Sequence, residues 1–337
     1  MLKYFKLGGG KSDSPTKFRC DYIDLVKGFC IIWVVWWHTW HPKILDPYYH
    51  VPLFFFVSGF FIKDSNFLDY VYRRFRQLIV PLVFFFLLYY PLWMVTYLWD
   101  HRTLSGFDWC AVRYMFDSSS TEFLTWNGPL WFLLVLFCIN ILVFAIHKTK
   151  YSKPIYVILI LFSFFFFDFF YKRPWLEYIV YIGYYTLGIF AVKKLIYYLS
   201  DNRARIFILS LFATLYVILN FIGNSISGSV FHGLVYTCSV VCFSMGTIAL
   251  FSYFDSSKIL SVFRFFGKNS LIVLGLHWWL TTAFFSRMFK VIFDYNVPVW
   301  AGFVDTVLTL VVIAAFVPLM NRYCSFFMGK NIKDISK

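Results

Sequence analysis

Apolar residues gather into ten long stretches, separated by short segments that hold most of the charged and turn-forming residues. The stretches run near 25–41, 48–63, 78–99, 129–147, 155–171, 178–198, 205–222, 231–254, 269–289 and 299–321. About 20 apolar residues in helical form are long enough to cross a bilayer core of about 30 Å. The pattern therefore predicts an all-α, polytopic integral membrane protein with about ten transmembrane helices. The second stretch is short, and the ninth and tenth contain polar residues, so their ends are loosely set.

The basic residues follow the same alternation. With the N-terminus cytoplasmic, the inner segments hold the tail up to Lys27, then Lys63, Arg73, Arg74 and Arg76, then Lys148, Lys150 and Lys153. Next come Lys193, Lys194, Arg203 and Arg205, then Lys258, Arg264 and Lys268, and finally Arg322, Lys330, Lys333 and Lys337. Only Lys43, Arg102, Arg113, Lys172, Arg173, Arg287 and Lys290 fall on the outer side. A miscounted helix would scramble this bias, so both termini are expected in the cytoplasm. The layout is a basic tail at 1–24, one membrane domain at 25–321 and a C-terminal tail at 322–337.

Composition sharpens the class. Only 14% of the residues are charged and 60% are hydrophobic, with 45 Phe, 24 Tyr and 13 Trp. A soluble domain carries about a quarter charged residues. The formal charge of +14 belongs to topology determinants lying against anionic lipid; no nucleic acid is expected as a partner. The first apolar run is too long for a signal-peptide core and is expected to be retained. Seven scattered cysteines read as reduced, packed thiols. Gly8-Gly9-Gly10-Lys11-Ser12 lacks the first glycine and the preceding strand of a phosphate-binding loop and reads as a tail. The histidines form no ligand set, so no metal is expected.

The chemistry concentrates in the first stretch. Lys27 and His38 are 11 residues apart, close to three helical turns, which puts both on nearly one face and roughly 16 Å apart. A histidine inside a membrane helix is costly unless it faces protein or water, which makes His38 a functional candidate. Four further segments accompany it: Val51–Lys63 with Ser58-Gly59, the basic Arg73-Arg74-Phe75-Arg76-Gln77 run before Pro81, Gly128-Pro129-Leu130-Trp131, and Phe266–His277 with Asn269.

In this order and spacing, from about Phe18 to Pro318, the segments resemble the acyltransferase 3 family. These are membrane O-acyltransferases of bacterial surface glycans, and the chain is most similar to the fucose 4-O-acetylase-like branch. The resemblance implies transfer of an acyl group, usually acetyl, from acyl-CoA to a sugar hydroxyl of a surface polysaccharide or its lipid-linked precursor. It also implies a place in the bacterial cytoplasmic membrane and no bound cofactor. The family's basic residue and histidine fall on Lys27 and His38, and its basic pair on the Arg73, Arg74, Arg76 cluster. Where members often carry Arg, this chain has Lys27; where a cation is frequent before the Leu-x-x-Pro run, it has Gln77.

Physical chemistry agrees with that reading. Lys27 and the three arginines can hold phosphates of a polyanionic donor. His38, three turns deeper, can take a hydroxyl proton or accept the acyl group itself. Ser58, Trp131, Asn269, His277 and Asp305 are possible cavity-lining residues. Ser58-Gly59 also fits close helix packing, and Trp131 an interfacial anchor. A transporter or flippase of a glycan or small solute is the main alternative, and an assembly subunit with His38 as a packing residue the third. Thioester turnover separates the enzyme from both.

Overall fold

The computed structural model describes residues 21–39, 49–107, 109, 125–171, 178–226, 230–255 and 257–329. All regular structure among them is helical: α1 (Asp21–Trp37), α2 (His50–Gly59), α3 (Phe67–Arg74), α4 (Val80–His101), α5 (Trp131–His147), α6 (Ser152–Phe165) and α7 (Phe167–Tyr171). There follow α8 (Tyr178–Leu199), α9 (Asn202–Ser225), α10 (Val230–Tyr253), α11 (Ser261–Lys268), α12 (Ser270–Trp279), α13 (Ser286–Ile292) and α14 (Trp300–Tyr323).

Five helical segments are long and apolar enough to cross a membrane: Phe67–His101, Asn127–His147, Asn202–Gly223, Phe231–Tyr253 and Trp300–Tyr323. Among the described residues the ten apolar stretches are largely helical, but several are interrupted. The fifth breaks at Phe166 between α6 and α7, and the ninth passes through a wider turn at Leu280–Phe285. The 64–77 and 255–268 segments, which separate apolar stretches, carry the short helices α3 and α11. Their termini are set locally. Asn66 accepts the Leu68 N–H at 3.0 Å and caps α3, and Asp201 accepts the Ala204 N–H at 2.8 Å and caps α9.

Small residues fix how the helices cross. A methyl at Gly267 would sit 1.7 Å from the Asp24 carbonyl oxygen, and one at Gly28 would sit 1.8 Å from that of Phe263. The backbones of α1 and α11 therefore touch, as apolar helices do when dispersion must hold them together in lipid. Gly59 and Gly188 do the same for α2 and α8, against Tyr185 O at 2.1 Å and Phe56 O at 2.0 Å.

One buried polar cluster is paired across helices. The Asn140 Oδ1 accepts from both Tyr70 and Tyr185 hydroxyls at 2.9 Å, and Asn140 Nδ2 donates to Leu136 O at 2.6 Å. Without water, each such group must find a protein partner. On the outside, α9 leaves Phe207, Val217 and Phe221 exposed. An apolar surface of that kind suits lipid.

Candidate active site

A cavity of about 270 Å³ runs along one face of α1, touching Lys27, Ile31, Val34, Trp37 and His38. These positions follow the 3.6-residue period, so one stripe of the helix forms one wall. From α2 come His50, Val51, Phe54 and Ser58, from the turn before α4 Gln77 and Leu78, and from α12 Ser270, Leu271 and Leu274. The remaining wall is Pro129 and the first turns of α5, including Trp131. The wall is mostly apolar, with polar groups gathered at two poles. One pole holds Lys27, Gln77 and Ser270; the other holds His38 and His50.

The Lys27 pole adjoins the α1–α11 contact at Gly28 and Gly267, and Ser270, three residues past Gly267, lines the same cavity. Its ammonium also lies 4.7 Å from the Phe61 ring centroid, a cation–π distance. Gln77 reaches the cavity through backbone geometry. Pro81 has no N–H to give the Gln77 carbonyl. The chain instead makes a wider turn over Phe75–Ile79, in which Val80 N–H bonds Phe75 O. Such turns concentrate at functional sites.

None of Arg73, Arg74 and Arg76 is among the lining residues. Arg74 donates to Gln77 Oε1 at 3.3 Å and to Phe61 O at 3.2 Å, so it stands one residue behind the wall. Arg73 and Arg74 also lie over the Tyr70 ring at 5.4 and 5.1 Å, and Arg76 lies over Phe326 at 5.6 Å.

At the other pole, His38 directly follows the last residue of α1, and its N–H bonds Val35 O at 3.1 Å. The next residue, Thr39, meets Thr306 at 3.2 Å and ties this end of α1 to α14. The His38 ring sits between two groups of α12. The His277 ring centroid is 5.3 Å away, and Trp278 presents an edge at 4.8 Å. Fully buried His277 shares its Nδ1 between the Val273 and Leu274 carbonyls at 3.0 and 3.1 Å. Carbonyls only accept, so Nδ1 carries the proton and Nε2 the lone pair. That Nε2 is buried and has no hydrogen-bond partner among the described residues.

The segment before α5 is tied to α12. Asn127 leaves helical geometry at φ −147°, ψ 76°, and its Nδ2 donates to Gly275 O at 3.1 Å. Gly275 is required there, since a methyl would lie 2.4 Å from the Phe85 ring.

The other expected residues take different places. Ser58 lines the cavity while donating to Phe54 O at 2.7 Å. Trp131 lines it and stacks on Tyr178 and Tyr181 at 5.0 and 5.7 Å. Asn269 lies at the α11–α12 junction, where it accepts from Asn321 at 3.1 Å and donates to Phe265 O at 2.9 Å; Ser270 is the lining residue instead. Asp305 is buried on α14, bonded to Thr309 at 3.2 Å, and faces a separate cavity of about 90 Å³ with Ser286, Lys290 and Tyr295. His277 stands behind His38, off the cavity surface.

His50 carries no signal in the sequence that marks it as a site residue. It is the first residue of α2, and only the antiparallel run of α2 against α1 brings it level with His38. His41, Glu122 and Glu177 lie outside the described residues. Among the described residues no three His, Cys, Asp or Glu side chains form a metal-binding group.

An apolar, all-helical chain with an imidazole and a cation at opposite ends of one cavity suits transfer chemistry inside a membrane. The acyltransferase domain family matches residues 21–318, nearly the whole chain, and the chain belongs to that family. It is a membrane acyltransferase. No curated protein and no solved structure matches it.

Proposed function

We propose that this chain is an O-acyltransferase that moves an acetyl group from acetyl-CoA to a sugar hydroxyl of a cell-surface polysaccharide or its lipid-linked precursor. The fucose 4-O-acetylase-like branch is the part of the family to which this reading assigns it. It lies in the bacterial cytoplasmic membrane, crosses it ten times and keeps both termini inside. The observation that carries the reading is the continuous α1 wall from Lys27 to His38.

Lys27, with Arg74 behind Gln77 and with Arg73 and Arg76 nearby, meets the phosphates of the donor. The thioester arm lies along the apolar wall and brings its carbonyl to His38. A neutral His38 imidazole takes the proton of the attacking hydroxyl while the new C–O bond forms. The C–S bond then breaks, and the thiolate leaves with that proton as free CoA. Transfer through an acyl-imidazole on His38 uses the same geometry in two steps. Trp131 offers its free edge to the acceptor ring, and Ser58 shapes the wall.

The test is transfer of radiolabelled acetyl from acetyl-CoA to a glycan extract of the host by protein in lipid nanodiscs. Label in the glycan, released by mild base as acetate, supports the reading. Uptake of glycan into vesicles without acyl-CoA consumption would replace it with transport.

A further inference from the structure

A single imidazole that must present a lone pair to a cavity faces a tautomer problem. Neutral imidazole carries its proton on one nitrogen or the other, and only one form leaves the cavity-facing nitrogen basic. Catalytic histidines solve this with a third group that accepts the other N–H, commonly a carboxylate. Among the described residues lining this cavity there is no carboxylate.

We infer that the Nε2 lone pair of His277 does this work: it accepts the N–H of His38 and holds the other His38 nitrogen toward the cavity. The inference rests on the transferase reading, in which His38 is the reacting group. Three observations carry it. The two Nδ1 contacts to Val273 and Leu274 carbonyls lock His277 into the tautomer with an acceptor at Nε2. That Nε2 is buried and unpartnered among the described residues, a costly state unless a donor arrives.

The third observation is distance. An imidazole nitrogen lies about 1.2 Å from its ring centroid, so centroids 5.3 Å apart allow the nitrogens to approach to about 3 Å, the length of an N–H···N bond, once the rings turn to face each other; in the structure as it stands that bond is not made. A rotation of the His38 ring, which stands nearly perpendicular to Trp278, aligns the pair. Catalytic hydrogen bonds commonly tighten in this way when substrate binds.

His277 is thus a positioning residue. It touches neither donor nor acceptor. When His38 takes the hydroxyl proton it becomes imidazolium, and its second N–H stays bonded to His277 Nε2; when that proton passes to the CoA thiolate, the original tautomer returns.

Two variants separate the nitrogens. In His277→Asn the amide N–H sits near Nδ1 and can still donate to the α12 carbonyls, but the Nε2 acceptor is gone. In His277→Gln the amide oxygen sits near Nε2. In His277→Asn kcat should fall about 10–100-fold, less than the roughly 10²–10⁴-fold a positioned base itself contributes because His38 is still present, with KM for acetyl-CoA unchanged. His277→Gln recovers most of the loss.

A second readout needs no turnover. Diethyl pyrocarbonate modifies a neutral, exposed imidazole nitrogen, and mass spectrometry of the His38 peptide follows its rate at fixed pH. That rate should fall severalfold in His277→Asn and recover in His277→Gln. Equal losses in both variants, or wild-type rates in His277→Asn, overturn the inference and leave the transferase reading intact. The predicted reagent pattern in a protein that turns over no acyl-CoA upholds the His38–His277 pairing and fails the transferase reading.

Discussion

Replacing Lys27 by methionine keeps the length and apolar body of the side chain and removes its charge. Lys27 lines one pole of the cavity beside Gln77 and Ser270, with its ammonium 4.7 Å from the Phe61 ring centroid. A hydrogen bond between an ammonium and a phosphate contributes about 1.5–3 kcal/mol net. The bare Coulomb energy at 4 Å and an effective dielectric of 20 is about 4 kcal/mol, which sets an upper bound. At about 1.4 kcal/mol per decade, KM for acetyl-CoA should rise about 10–100-fold.

His38 is about 16 Å away along the helix, so kcat should move by less than about threefold, the pattern of lost uniform binding. Lys27→Arg should restore most of the affinity, because a charge is kept. Raising salt should weaken donor binding more in the wild type than in Lys27→Met, since only the former has this charge to screen. Initial rates of free thiol release against acetyl-CoA concentration give both constants. An unchanged KM with a large fall in kcat would refute the assignment of Lys27 to the donor end.

The other predictions follow from single contacts. Ser58→Ala removes a hydroxyl already committed to Phe54 O at 2.7 Å, so turnover should stay within about threefold; a loss beyond 100-fold would make Ser58 a nucleophile. Gly267→Ala places a methyl 1.7 Å from Asp24 O and must part α1 from α11, at about 1–3 kcal/mol for overpacking; a lower melting temperature in nanodiscs checks it. Asp305→Asn alters a separate cavity, so kcat and KM for acetyl-CoA should both stay within about twofold of wild type.

Much of the α1 wall is legible in the amino-acid sequence. An 11-residue separation at helical pitch puts Lys27 and His38 on one face, and the cavity follows that face through Ile31, Val34 and Trp37. Helix content is legible for the same reason, since ten apolar stretches in a chain with 14% charged residues leave few other folds. What sequence spacing does not supply is which helices meet. His50 joins His38 because α2 runs back along α1, and His277 meets it because α12 runs alongside α1 from the Gly267–Asp24 contact. The arginine cluster stands out by its charge, but the wide turn before Pro81 points Gln77 inward and leaves Arg74 behind it. Asn127 gives no periodic signal at all; it is tied to α12 by one bond to Gly275, 148 residues away.

The central claim is that acyl transfer takes place at the His38 end of this cavity. The direct measurement is acetyl-CoA turnover by purified wild type and His38→Ala in lipid nanodiscs, with host glycan extract as acceptor and matched melting curves. The account predicts acceptor-dependent CoA release from the wild type and a loss of at least about 100-fold in the folded variant, the contribution of a positioned base or nucleophile. Equal turnover by both proteins would remove His38 from the chemistry and contradict the account.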